Sequence, residues 1–347
     1  MEKFSIRPAQ APPLSEFYLG RHLLEGDLLK DLCHPLRMVI IADHAMKALG
    51  EKLARTVGAD LFTIPSGEKS KTRKAKEDLE NELLKAKCGR DTMLIALGGG
   101  VTTDLVGFVA STYLRGVPLI LIPTTVLAMV DASIGGKTGV DTSFGKNLVG
   151  SFYPPKAIIA DLETLKTLPQ KEEENGLSEI LKMGLIADAS IWENPDCSEE
   201  SIRRAIKGKI AIIETDPHDQ GLRRILNFGH TIGHALERIS NYDISHGEAV
   251  AIGCLAEAHL SLSLGYLSPK EFERVLQWKA SVHLPKTYQR KDVWNRMAVD
   301  KKKAGELIRF VLIDRIGHAM PFDGEYCRPV NEQELAPTLD WMEDSYG

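Results

Sequence analysis

Cysteine is sparse in this chain of 347 residues: Cys33, Cys88, Cys197, Cys254 and Cys327 make an odd five, far apart and without a CxxC pair. That pattern argues against a disulfide framework or a sulfur-ligated zinc site and points to a reducing cytosol. Long apolar runs are missing as well. The most apolar later stretch, residues 249–264, contains Glu257 and His259, so it reads as a buried helix of a soluble protein and not as a membrane span. Residues 1–13 carry charges and prolines but no apolar run, and no secretory signal is expected there. Nor is there an excess of positive charge: 43 Lys and Arg against 48 Asp and Glu leave a net charge of -5, which gives no overall field for a nucleic-acid backbone. Internal repeats and low-complexity tracts are absent.

What is present is an ordinary globular balance, 43% apolar and 26% charged. Single hydrophobic cores rarely grow past roughly 250 to 300 residues, so the length predicts two domains. Short β-rich runs at residues 38–42, 61–64, 93–97, 119–123 and 157–160 alternate with helical patterns, the texture of a parallel or mixed sheet flanked by helices. Beyond about Thr167 the pattern becomes helical, at residues 171–186, 224–239 and 248–264, with one late β-like stretch at 308–312. The boundary is expected near residues 161–170, giving an α/β N-terminal domain, 1–166, with a nucleotide-binding sheet, and a mainly α-helical C-terminal domain, 167–347.

Three features carry chemistry. Gly98-Gly99-Gly100 follows an apolar strand and opens a helix, a position where bare backbone N–H groups and the helix N-terminus suit a dinucleotide pyrophosphate. The GxGxxG fingerprint is absent, so an ordinary Rossmann dehydrogenase does not follow. His230 and His234 stand four apart, on one face of a helix, and His246 follows after a short polar loop. Imidazoles of this kind bind zinc, and a carboxylate from elsewhere, such as Glu179, completes a three-ligand set with an open position. Spacing leaves open which two histidines are ligands. Finally, Lys137, Lys146 and Asn147 sit in glycine-rich turns suited to an anion, but Gly-Gly-Lys-Thr lacks the GxxxxGK spacing of a P-loop.

Four blocks together are far more specific than any of these: GGGVTTDLVGFVASTYLRG from Gly98, IPTTVLAMVDASIGGKTGVDTSFGKNLVGSFYPPKA from Ile122, NGLSEILKMGLI from Asn175, and LNFGHTIGHALE with HGEAVAIG from Leu226. Across residues 37–318 the chain resembles the 3-dehydroquinate synthase family of the sugar phosphate cyclases. The resemblance implies an NAD- and metal-dependent lyase, with Zn2+ or Co2+, on the shikimate route to chorismate and the aromatic amino acids. Its reaction turns 3-deoxy-D-arabino-heptulosonate 7-phosphate into 3-dehydroquinate and phosphate. NAD contacts would fall on Asp43, Glu68, Lys71, Gly99, Gly100, Asp104, Thr124, Thr125, Thr167 and Leu168. Metal ligands would be Glu179, His230 and His246. Substrate contacts would fall on Asp131, Lys137, Lys146, Asn147, Lys182, Lys209, Arg223, Asn227, His234 and Lys301 or Lys302. Of these, Asp131, Lys137, Lys146 and Asn147 would border the cofactor too. Arg115 would cross a homodimer interface toward the neighbour's phosphate. Ala45 and Thr103 depart from the family's usual residues beside the cofactor. Rival readings are a sister cyclase for a substrate without a carboxylate, a metal-dependent polyol dehydrogenase, and a non-catalytic nucleotide-binding protein.

Overall fold

The computed structural model describes residues 15–241, 243–278, 284, 288–302 and 308–346, with backbone alone for 298–302. Two compact units emerge: the chain up to Thr124 together with Gly135–Lys166, and Thr125–Ile134 together with the chain from Thr167 onward.

In the first unit the described strands are β1 (Glu16–Gly20), β2 (Arg37–Asp43), β3 (Asp60–Ile64), β4 (Thr92–Gly98), β5 (Leu119–Pro123), β6 (Lys137–Thr142), β7 (Gly145–Phe152) and β8 (Ala157–Asp161). Six of them form one sheet in the order β1-β8-β5-β4-β2-β3, and every pairing is parallel. The central strands β4, β5 and β8 are buried at every position, which explains their unbroken apolar sequences: a parallel strand covered on both faces has no polar side to alternate with. Helices α1 (Leu28–Cys33), α2 (Lys47–Val57), α3 (Arg73–Lys85) and α4 (Gly100–Thr112) make the crossovers. Thr72 caps α3 by accepting the Ala75 N–H, and Gly58 closes α2 in the left-handed conformation. The residues read from sequence as lysine-bearing glycine turns are in fact an antiparallel hairpin, β6 with β7, whose ladder and packing on α4 override the low strand propensity of its glycines.

The described helices of the second unit are α5 (Gln170–Ile186), α6 (Ala189–Glu193), α7 (Glu199–Thr215), α8 (His230–Ile239), α9 (His246–Ser263), α10 (Pro269–Leu276), α11 (Arg290–Lys302) and α12 (Glu332–Tyr346). Helix α9 is apolar almost all round and correspondingly buried, with Ile252, Ala256 and Leu260 in one core with Ile232 and Leu236 of α8 and Leu335 and Leu339 of α12. The expected helix 224–239 begins only at His230. Leu222–Asn227 is a 3-10 turn, and Gly229, at φ 78°, breaks the helical path before α8. The late β-like stretch resolves into two short antiparallel pairs, Arg309–Phe310 with Arg328–Pro329 and Ile313–Arg315 with His318–Ala319.

Thr125–Ile134, counted from sequence with the first half, packs with the second unit. Val126 fills the space left by the missing side chain of Gly176 on α5, and Asp131 pairs with Lys209 of α7. No helix among the described residues is long and apolar enough to cross a membrane.

Candidate active site

The first unit places its predicted cofactor residues at adjacent strand ends. Asp43 closes β2, Gly99 caps α4 after β4, Gly100 is that helix's first residue, and Thr124 follows β5, donating its N–H to the Gly98 carbonyl at 3.0 Å. The sheet order reverses between β2 and β4, since β3 lies beyond β2 and β5 beyond β4. A topological switch point at the carboxyl ends of parallel strands is where open α/β sheets bind dinucleotides. Asp43 holds the turn below it by accepting from the Ala45 N–H and the Ser66 hydroxyl, both at 2.7 Å; a backbone N–H needs no polar side chain at position 45. Thr103 fits α4 by donating its hydroxyl to the Gly100 carbonyl.

A charge cluster lies in the same unit. Buried Lys71 donates to Asp104 at 2.5 Å and to the Asn147 amide oxygen at 2.6 Å, while Lys146 lies 3.8 Å from Glu68. Burial would lower the Lys71 pKa, but Asp104, with Glu68 and Asp141 behind it, raises it instead. Asn147 sits at φ 57°, its N–H tied to Asp141, and Lys137 is exposed at the start of β6. Leu114 and Arg115 are both left-handed, at φ 48° and 68°, an uncommon backbone for two successive non-glycine residues.

In the second unit, one ligand atom each of Glu179, His230 and His246 lies within 4.8 Å of the others. The Nε2 atoms of His230 and His246 stand 3.4 and 3.3 Å from the same Glu179 oxygen, Oε1. Two close approaches bring these residues together. A Cβ on Gly247 would meet the Asn175 backbone at 2.4 Å, so only glycine lets the start of α9 rest on α5. A Cβ on Gly253 would lie 1.9 Å from the Gly229 carbonyl oxygen, so its absence lets α9 approach the turn that leads into His230. The α9 start is fixed by a capping box: Ser245 accepts from the Glu248 N–H, and Glu248 accepts from the Ser245 N–H.

The donor set fits a divalent metal. Both Glu179 oxygens are buried without a hydrogen-bond partner, although Lys182 Nζ lies 2.5 Å from Oε2. One carboxylate and two imidazoles are a catalytic zinc set that leaves a coordination position open. Burial would raise the Glu179 pKa, but Lys182 and the two histidines hold it well below the usual carboxylate range. Burial likewise opposes a charged His246, and Glu179 and Glu237 outweigh it, pushing that ring up to about 10.

Beside this group runs a series of alternating charge, with Lys182 and Lys209 buried and Asp131 half-buried between them. Lys182 lies 3.8 Å from Asp131, and Lys209 donates to both the carbonyl and the carboxylate of Asp131 at 2.6 Å. Asp131 belongs to a single π-helical turn, Ala128–Ala132, a local widening often found at functional sites. Arg223 is buried and donates to the Pro217 carbonyl, within a loop held by Asp216. The exposed His234 ring lies 5.2 Å from that of His230, and Asn227 ends the preceding turn, exposed. Thr125 accepts from the Ala128 N–H, and Thr167 and Leu168 lead into α5. Lys301 and Lys302 end α11, but their side chains lie outside the described residues.

The site residue that sequence reading passed over is Glu237, buried one helical turn beyond His234 and 3.5 Å from His246 Nδ1. Its signal was a carboxylate at i+3 from a histidine inside the LNFGHTIGHALE block.

Comparison with known proteins follows the same lines. A family model described as 3-dehydroquinate synthase N-terminal matches residues 61–175, and one described as 3-dehydroquinate synthase C-terminal matches 176–303. A 3-dehydroquinate synthase of Paenarthrobacter aurescens (strain TC1) is 42% identical over 319 residues, covering 86% of this chain and 88% of that one. Among solved structures, a 2-epi-5-epi-valiolone synthase of Streptomyces hygroscopicus subsp. jinggangensis 5008, with NAD+ and Zn2+ bound, superposes with a TM-score of 0.86 at 26% identity, covering 98% of this chain and 99% of that one. A glycerol dehydrogenase of Schizosaccharomyces pombe shares the fold alone: TM-score 0.62, 15% identity, 98% and 92% covered.

Proposed function

The chain belongs to the 3-dehydroquinate synthase family, and on that ground we infer that it is a phosphate-eliminating carbon–oxygen lyase making 3-dehydroquinate from 3-deoxy-D-arabino-heptulosonate 7-phosphate. That step lies on the route to chorismate and the aromatic amino acids. The secondary alcohol is oxidised, which acidifies the neighbouring C–H. Loss of that proton expels phosphate by β-elimination, the ketone is reduced again, the ring opens, and an intramolecular aldol step closes the carbocycle. NAD supplies a reversible hydride acceptor, and a divalent metal, Zn2+ or Co2+, supplies a Lewis acid for the oxygen of the carbon being oxidised.

The protein's own groups divide by unit. In the first, Asp43, the Gly99–Gly100 turn and Thr124 would hold the dinucleotide, with Glu68, Lys71 and Asp104 alongside. Lys137, Lys146 and Asn147 present two cations and an amide to phosphate oxygens. In the second, with Thr125–Ile134 included, Glu179, His230 and His246 would hold the metal. Lys209 and Arg223 would take the substrate carboxylate, Arg223 as a two-pronged donor, with Asp131 between Lys209 and Lys182 setting their positions. His234 and Lys182 would orient the reacting groups and assist proton transfer, with the departing phosphate itself as the base. We place the enzyme in the cytoplasm as a homodimer with Arg115 serving the neighbouring subunit; elution as a monomer at working concentration removes that role.

The observation that carries this reading is the convergence of Glu179, His230 and His246 inside a chain 42% identical to a 3-dehydroquinate synthase. Incubation with substrate, metal and substoichiometric NAD tests it. Phosphate released in excess over NAD, with 3-dehydroquinate seen by NMR and no net NADH, is the expected result. Accumulating NADH would make the protein a polyol dehydrogenase.

A further inference from the structure

We propose that Glu237 is a positioning residue of the metal site: its carboxylate holds the Nδ1–H of His246 and so fixes the ring that offers Nε2 to the metal. The proposal rests on the metal reading above and deepens it. Glu237 lies seven residues beyond His230, on the same face of α8, and is only 3% exposed. A carboxylate buried this far costs free energy unless it meets a donor. His246 Nδ1 lies 3.5 Å from Glu237 Oε1, while the other nitrogen of the same ring, Nε2, stands 3.3 Å from Glu179 Oε1.

The companion ligand shows the same arrangement with a weaker partner. His230 turns Nε2 to Glu179 and keeps Nδ1 3.1 Å from the carbonyl oxygen of Phe228. Each imidazole therefore has an inner nitrogen for the metal and an outer nitrogen with an acceptor that fixes its tautomer and angle. For His230 the acceptor is a peptide carbonyl, held in place by the backbone. For His246, the first residue of α9, it is a charged side chain reaching from α8. A carboxylate behind a metal-bound imidazole also raises the basicity of the inner nitrogen. Glu237, His234 and His246 also bring ligand atoms within 4.8 Å of one another. A second metal there would have to take His246 Nδ1 and make the ring a bridge between two ions, so ion counting separates that alternative from the proposal.

Zn2+ affinity, by competition with a chromophoric chelator, and the visible Co2+ spectrum test the proposal on the full chain, with thermal melting under chelator checking that each variant folds. Glu237→Gln and Glu237→Met should bind one ion per chain about 10- to 100-fold more weakly than the parent and shift the Co2+ spectrum. Glu237→Asp, which keeps the charge, should retain most of the affinity and the parent spectrum. If Glu237→Met does not fold, Gln against Asp decides. Parental affinity and spectrum in Glu237→Gln, alongside loss of metal in His246→Ala, overturn the positioning role and leave the metal site standing. Two ions per parent chain, falling to one in Glu237→Gln, overturn it in favour of a second metal. Full metal binding by His246→Ala removes the underlying metal reading and the proposal with it.

Discussion

Lys182 and Glu179 stand one turn apart on α5, both sealed from solvent, with the ammonium nitrogen 2.5 Å from a carboxylate oxygen. The lysine keeps the buried carboxylate ionised, the form a metal needs. Removing one partner of such a pair leaves an uncompensated charge in the interior, at a cost of about 3–5 kcal/mol. Lys182→Met should therefore lose about that much stability in denaturant titrations under chelator, with part recovered on adding Zn2+ as a substitute counter-charge. Unchanged stability under chelator would show that the pair contributes nothing to holding Glu179.

Gly247 supplies a steric test of how the ligands are assembled. In Gly247→Ala the added Cβ would meet Asn175 Cα at 2.4 Å, so the start of α9 must move away from α5 and carry His246 from Glu179. Overpacking of this kind costs about 1–3 kcal/mol. Metal affinity should fall at least tenfold as well, measurable by chelator competition. Parental affinity would mean that the α9 start is free to adjust.

Asp216 anchors the loop that presents Arg223 by accepting the backbone N–H groups of Gln220, Gly221 and Arg223 at 2.9, 2.7 and 3.0 Å. The Gln220 N–H contributes most; against an opposing burial effect, it and the N–H groups of Gly221 and Arg223 lower the Asp216 pKa from 3.8 to about 2. Since the folded value lies below the unfolded one, its stabilising effect is present at neutral pH and disappears as pH falls from about 4 through about 2. Asp216→Ala should lose that acid dependence in pH-resolved melting. It should also raise KM for the substrate with a smaller change in kcat, as Arg223→Ala should do more strongly. An unchanged KM in Arg223→Ala would remove that residue from carboxylate binding.

Lys71 separates cofactor from metal. Lys71→Met leaves Asp104 without its 2.5 Å partner and Asn147 without its donor, so NAD affinity should drop at least tenfold while Zn2+ affinity in the second unit stays at the parent value. Parallel loss of both would mean that the substitution unfolds more than the cofactor site.

The elements readable from sequence were those whose local pattern and tertiary setting agree. Strands β4, β5 and β8 announce themselves because burial on both faces demands unbroken apolar residues. Helix α5 was placed to within a residue. The hairpin β6–β7 was illegible because its glycines and lysines mimic a loop, and its strand character comes from the ladder between the two segments and from α4 beneath. Residues 224–229 look helical because a 3-10 turn keeps nearly the same apolar spacing; the extended Phe228, at ψ 130°, and the left-handed Gly229 separate it from α8. Spacing alone left three histidines as equal candidates, and the common approach of His230 and His246 to one Glu179 oxygen distinguishes them from His234. Glu237 carries only the weak signal of a carboxylate three residues after His234; its approach to His246 comes from the packing of α8 against α9, which local spacing does not encode.

Recognition of a carboxylate-bearing sugar phosphate is decided by kcat/KM for phosphate release from 3-deoxy-D-arabino-heptulosonate 7-phosphate against sedoheptulose 7-phosphate, on metal-loaded enzyme with NAD. If the buried Lys209 and Arg223 bind the substrate carboxylate as proposed, the analogue lacking it should be rejected by about 10⁴-fold. Equal or faster turnover of sedoheptulose 7-phosphate would show that the enzyme does not recognise a substrate carboxylate and acts as a sister cyclase.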